Sequence, residues 1–204
     1  MDDLSKVARE VRACALCGLS ASRKNAVPGE GPARAEVMLI GEGPGFHEDQ
    51  QGRPFVGPSG QFLTELLASA GYKREDVFIT NVVKCRPPGN RDPLPEEIQA
   101  CSQYLDRQIA LVNPRVIVTL GRFSMAKWFP GQKISAVHGK AKCVDGRVIV
   151  AMFHPAAALH QQSLRSRIEE DFRRLPEIVK SALAEEARAT PKPPDSAGEQ
   201  LSLF

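Results

Sequence analysis

Nowhere does the sequence run to 18 consecutive apolar residues, so a membrane-spanning helix is not expected. Its opening, MDDLSKVARE, is acidic and amphipathic and lacks the basic start and apolar stretch of a secretion signal, so a cytoplasmic address is expected. Charge of one sign is not in excess either. The 27 basic and 24 acidic residues leave a net of +3, which permits a nucleic-acid partner without requiring one. Cysteines are few and odd in number, at 14, 17, 85, 101 and 143. That count argues against a disulfide framework and makes metal binding the better reading.

What is present suits one globular domain. The 204 residues are 42% hydrophobic, enough for a full core, and a single domain is expected over 1–188. Short β-rich runs lie at EVMLI (36–40), DVFITNVV (76–83), RVIVTL (115–120) and RVIVAMF (147–153). Helical patterns separate them. In SGQFLTELLASAG, Phe62, Leu63, Leu66, Leu67 and Ala70 share a face, with Ser59 as the cap and Gly71 as the stop. In LPEEIQACSQYLDRQIALVNP, Ile98, Leu105, Ile109 and Val112 recur at helical spacing, and Pro114 enforces the end. Residues 163–188 carry a last amphipathic pattern, interrupted near Pro176.

Strands alternating with helices predict an α/β fold, with a mostly parallel, four-stranded sheet covered on both faces. Ligands of such sheets gather at the carboxyl ends of the strands. GEGPG follows the first strand, Asn81 lies in the second, and His154 and Pro155 follow the last.

The GEGPG loop is a poor phosphate cradle. Pro44 interrupts it, Phe46 stands where a dinucleotide fingerprint has its third glycine, and no Gly-Lys-Ser/Thr follows. Glu42, Glu48 and Asp49 add negative charge. A bare backbone that lets a flat ligand approach is the better reading. Phe55, in the turn GRPFVGPSG, is either a stacking platform for that ligand or a core plug. The cysteines read C-x2-C at 14 and 17, then Cys85 and Cys101. Taken alone, the pair fits zinc, a redox dithiol or an iron–sulfur cluster, and four soft thiolates do not separate zinc from iron–sulfur. Cys143, in KAKCVDGRV, reads as a bystander thiol in a turn.

GEGPGFHEDQQGRPFVGPSG, ITNVVKCRPPGNRDPLPEEIQAC and HPAAAL, in that order, resemble the motifs of the family 4 uracil-DNA glycosylases, the iron–sulfur branch of that superfamily. The resemblance spans residues 14 to about 180. It implies a three-layer α/β/α sandwich, release of uracil from single- or double-stranded DNA to start base excision repair, and a [4Fe–4S] cluster on Cys14, Cys17, Cys85 and Cys101. The basic residues Lys84, Arg86 and Arg91 beside those cysteines would meet DNA phosphates or form a solvated loop.

A glycosylase extrudes its base and reads the exposed edge. By resemblance, Asn81 takes the O4/N3 edge of uracil, His154 contacts O2, Phe55 stacks on the ring, and the backbone of Gly41, Glu42 and Gly43 approaches another edge. The family 1 enzymes orient the attacking water with an aspartate whose counterpart here is Gly43, which leaves Glu42 and Glu48 as the candidates. In PAAALHQQSLR, Leu159 is the most wedge-like residue for entering the duplex, although Ala157, Ala158 and HQQ replace the larger residues usual in the family. His138, in SAVHGK, reads as a turn residue. The rival readings are a glycosylase of the same fold for hypoxanthine or xanthine, and a non-catalytic iron–sulfur module that binds DNA.

Beyond residue 188 the composition changes to ATPKPPDSAGEQ, which predicts a disordered tail over 189–204. Its end, QLSLF, resembles the pentapeptide with which bacterial repair proteins dock on the sliding clamp. Gln200 would supply hydrogen bonds, and Leu201, Leu203 and Phe204 would fill an apolar groove. A monomer working on nucleoid DNA is expected.

Overall fold

The computed structural model describes residues 2–189. Elements follow in the order α1 (Leu4–Ala13), α2 (Leu19–Ser22), β1 (Val37–Gly41), α3 (Phe46–Gln51), α4 (Pro58–Ser69), β2 (Phe78–Asn81), α5 (Pro95–Val112) and β3 (Val116–Leu120). Then come α6 (Arg122–Met125), α7 (Ile134–Val137), β4 (Lys140–Val144), β5 (Arg147–Met152), α8 (Ala156–His160), α9 (Arg165–Arg173) and α10 (Leu175–Ala189). The clamp-like residues Gln200, Leu201, Leu203 and Phe204, and the predicted tail beyond Ala189, lie outside the described residues.

The sheet runs in the order β2-β1-β3-β5-β4. The four predicted strands are its parallel members, β2, β1, β3 and β5. The expected count of four is corrected to five, because β4 adds an antiparallel edge on β5. KAKCV, predicted to be a turn, is that strand. The turn is the Asp145-Gly146 pair after it, with φ of 51° and 71°. Asp-Gly with both residues left-handed makes a tight hairpin whose twist matches the strands. Lysines alternate with Ala141 and Cys143, which pack onto the core, and this half-exposed, charged pattern suits an edge strand.

Side chains of a strand alternate between faces, and here the alternation divides the core. Leu39, Ile79, Val118, Val150 and Met152 pack with Phe62, Leu63, Leu66 and Leu67 of α4 and with Ile168 and Phe172 of α9. Met38, Ile40, Phe78, Ile117 and Ile149 pack on the other face with Val7 and Val11 of α1 and Tyr104 and Leu105 of α5. The result is the expected three-layer α/β/α arrangement.

Helix ends follow local chemistry. The N-cap of α4 lies two residues before the predicted one. Gly57 is the N-cap and Pro58 the first helical residue, where its missing N–H is harmless, while Ser59 lies inside. Gly71, at φ 80°, takes the left-handed turn after the helix. α5 opens with Glu97 accepting the Leu94 N–H at 2.8 Å and closes on Asn113 in left-handed conformation ahead of Pro114. The break predicted near Pro176 is the α9–α10 junction at Arg174.

Candidate active site

Gly41 and Asn81 end adjacent parallel strands and pair in register. Beside them, at the carboxyl edge of the sheet, opens a cavity of about 470 Å³. Its wall includes Glu42, Gly43, Glu48, Phe55, Asn81 and His154. That volume falls in the range of small-molecule sites and has room for a nucleobase.

Asn81 is 1% exposed, and its Oδ1 has no hydrogen-bond partner. A buried polar atom without a partner is costly, and Asn81 is also among the residues lining the cavity, where an entering ligand could supply one. Gly41 allows this placement in a way the sequence did not suggest. A Cβ there would overlap Asn81 Oδ1 and come within 2.7 Å of the Phe55 ring. The missing side chain therefore makes room for Asn81 and Phe55. Of Gly41, Glu42 and Gly43, the last two line the cavity.

Phe55 is buried with φ 50°, a conformation uncommon for a bulky residue. Its neighbours enforce it. A Cβ on Gly60 would overlap the Phe55 carbonyl, so α4 presses its bare backbone against the turn. Glu48 holds the same turn: its carboxylate accepts the N–H groups of Val56 at 2.9 Å, Gly57 at 3.0 Å and Gly45 at 3.1 Å. Glu48 thus lines the cavity while binding the GEGPG loop to the Phe55 turn.

The Phe55 ring stacks on His154, with centroids 5.5 Å apart and planes 25° from parallel. Nδ1 of His154 accepts the Ala156 N–H at 3.1 Å, so the proton of the neutral ring sits on Nε2. Burial holds the imidazole neutral by lowering its pKa to about 4, and the Glu48 charge opposes that shift only weakly. A neutral ring with a defined N–H is a donor that does not titrate near neutrality.

Glu42 has a different environment. Burial raises its pKa, the Asp92 charge adds to the rise, and Arg122 opposes it. Arg91 reaches the cavity from the loop after β2, held by Glu97 through contacts of 2.7 and 2.9 Å.

Cys14, Cys17, Cys85 and Cys101 line one second cavity, with Val11, Leu16, Leu19 and Tyr104 around them. Arg23 Nη1 donates to Cys85 Sγ at 3.0 Å, and the Lys84 N–H to Cys101 Sγ at 3.3 Å. Burial raises both thiols, Cys101 to about 11. Among the described residues, no three histidine, cysteine or acidic side chains draw together around a single ion.

Lys84 does not meet phosphates. It is 1% exposed, and its ammonium donates to Thr80 Oγ1 at 2.6 Å, the Asn81 carbonyl at 2.7 Å and Gln108 Oε1 at 2.7 Å. Its backbone touches a cysteine of one cavity and its side chain braces the strand end of the other. Nothing in the local sequence marks this burial. His138 caps α7 as a turn residue would, and also bonds Asp171 at 2.6 Å, tying α7 to α9. Leu159 stands 49% exposed on α8, next to His160 of the cavity wall. Ser59 and Asn90, which sequence reasoning passed over as site residues, also line the wall. Position relative to a motif was the only signal for either.

The family model of the uracil DNA glycosylase superfamily matches residues 28–175. The chain is 50% identical over 189 residues to the type-4 uracil-DNA glycosylase of Sulfurisphaera tokodaii, covering 88% of this chain and 86% of that protein. Its identity to the type-4 uracil-DNA glycosylase of Archaeoglobus fulgidus is 46% over 187 residues, covering 87% and 94%. With that of Thermotoga maritima it is 43% over 179 residues, covering 85% and 93%. The chain therefore belongs to the uracil DNA glycosylase superfamily, among the type-4 uracil-DNA glycosylases.

Proposed function

We propose that the protein hydrolyses the N-glycosidic bond of deoxyuridine in DNA, leaving an abasic site. The observation that carries the reading is Asn81, a buried amide with an unpartnered Oδ1, among the residues that line a cavity bounded by Phe55 and His154. Uracil presents an N3–H donor beside the O4 acceptor, and one amide group satisfies both. Phe55 supports the ring of the flipped base. The Nε2–H of neutral His154 donates to O2, where charge gathers as the C1′–N1 electron pair leaves with the base. Water then adds to C1′ of the cationic sugar, and the proton it gives up ends on the uracil anion.

Glu42 is the better candidate to orient that water. It lines the cavity, whereas both oxygens of Glu48 are engaged by backbone N–H groups. Glu48 acts as a positioning residue. Leu159 serves as the wedge that fills the space left by the extruded base.

The four cysteines fit a [4Fe–4S] cluster. Thiolates around a shared cavity that do not converge on one point suit a polynuclear cluster better than one tetrahedral ion, and the N–H donors of Arg23 and Lys84 suit charged sulfur. When bound, the cluster supplies a cross-link between the N-terminal segment and α5. We assign the terminal Gln200, Leu201, Leu203 and Phe204 to clamp docking on sequence alone, and a monomer at the nucleoid accords with that role.

The test is abasic-site formation on single- and double-stranded uracil oligonucleotides, with cytosine and thymine controls and Asn81→Ala protein. Release from uracil alone, lost in the variant, is expected. Release of hypoxanthine or xanthine instead would reassign the substrate. No release from folded, cluster-loaded protein would leave only a DNA-binding module.

A further inference from the structure

We infer that Phe46 and Arg86 form a second base-binding subsite, which stacks the nucleobase next to the flipped uracil in the same strand. The inference rests on the uracil reading of the main cavity and extends it by one nucleotide.

Phe46 is the first residue of α3 and follows Gly45, which lines the cavity. Among the described residues it is one of four large hydrophobic side chains left exposed, at 52%. Its ring is nonetheless held. The Arg86 guanidinium lies over it, 5.3 Å from the centroid, and His47 meets it edge-on at 5.5 Å. Arg86 is itself fixed by its Nε bond to Asn90 Oδ1 at 2.7 Å, and Asn90 lines the cavity. A preset aromatic ring at the rim of a base pocket, backed by a cation, has the chemistry of a stacking platform for nucleic acid. A nucleobase fits this surface better than an aliphatic partner would, because it pairs a flat π-face with a neighbouring phosphate. The Nη groups of Arg86 can meet that phosphate while the guanidinium stays over the ring. A strand whose uracil is turned into the main cavity loses a stacking neighbour beside the gap, and Phe46 replaces it.

The experiment crosses a protein change with a substrate change, in single-turnover uracil release from single-stranded oligonucleotides. The proteins are wild type, Phe46→Ala and Phe46→Trp. The substrates carry a normal base or a baseless spacer immediately 5′ or immediately 3′ of the uracil. Stacking is worth about 1–3 kcal/mol per base, so Phe46→Ala should raise the half-saturating concentration roughly tenfold, with a much smaller effect on the saturated rate. Phe46→Trp should restore binding. The spacer on one flank should weaken the wild type by a similar factor and leave Phe46→Ala unaffected.

Independent, multiplying effects of protein and spacer would overturn the inference. So would half-saturating concentrations on these single strands that neither Phe46→Ala nor either spacer changes. If wild-type protein releases no uracil from any substrate, the reading of the main cavity falls instead. Phe46 is on the surface, and circular dichroism of the variant separates a folding defect from lost stacking.

Discussion

Nδ1 of His154 accepts the Ala156 backbone N–H at 3.1 Å, and that contact assigns the ring's proton to Nε2. In the proposed reaction this makes Nε2–H the donor to the uracil O2, set by chain geometry before any substrate arrives. Burial keeps the ring uncharged, which suits a neutral hydrogen-bond donor and not an acid.

The pH dependence should reflect this. The folded pKa of about 4 lies below the unfolded value near 6.5, so the unfolded chain takes up a proton in that window and the folded one does not. The contribution is intact above pH 6.5 and is lost as pH falls toward 4, by roughly 3 kcal/mol at most. Denaturant melts from pH 4 to 8 would measure it. The saturated rate should show no inflection between pH 6 and 7, and a histidine-like step there would refute the neutral-donor role.

Glu42 and Glu48 should separate cleanly. Glu42→Gln should slow saturated release by about 10- to 100-fold and leave the melting temperature almost unchanged. Because burial raises the Glu42 pKa, the acid limb of the wild-type rate should lie above the ordinary glutamate range and disappear in the variant. Glu48→Gln should lower stability by about 1–3 kcal/mol, since an amide cannot accept from three N–H groups with both arms. The opposite pattern would exchange their roles.

Gly41→Ala should fold and lose most activity. The added methyl collides with Asn81 Oδ1 and the Phe55 ring, both of which would have to turn away from the cavity. Overpacking of this kind costs about 1–3 kcal/mol. Uracil release close to wild type, with a lowered melting temperature, would mean that Asn81 and Phe55 do not hold the base.

Lys84→Met should destabilise the protein by a few kcal/mol, of order 1–3 for each stranded polar group. It removes the Lys84 donor from the Asn81 carbonyl and from Gln108 Oε1, which keeps only the Thr80 hydroxyl at 3.0 Å. Chemical denaturation would measure the loss. A neutral result would mean that water replaces the ammonium.

Cys101→Ser should abolish the brown absorbance expected of an iron–sulfur protein and lower the melting temperature. If the four residues hold zinc instead, purified wild type will be colourless and elemental analysis will find one zinc per chain. That outcome would replace the cluster and leave the uracil pocket intact.

Much of the site was legible because its parts sit where strands end. An asparagine inside an apolar strand, a histidine just past another, and a glycine-rich turn after a third converge once the strands are parallel, and their register is set by burial on both faces. β4 escaped notice because an edge strand is half exposed, and its two lysines look like loop chemistry. Lys84 read as a surface cation for a related reason. Charge predicts exposure on average, and only the tertiary contacts show that Thr80, Asn81 and Gln108 saturate its three donors.

Periodicity and punctuation along the chain were enough for the α/β layering and the strand ends, because alternation and glycine or proline placement act within a few residues. The uracil reading of Asn81 and His154 came instead from the resemblance to the family 4 enzymes. Three-dimensional packing gave the two carboxylates on the cavity wall different surroundings, tying Glu48 to three backbone N–H groups. It also gave the bare α-carbon of Gly41 to its neighbours and left Phe46 standing at the rim. Such choices depend on which atoms are left without partners when distant segments close together, and no local pattern carries that information.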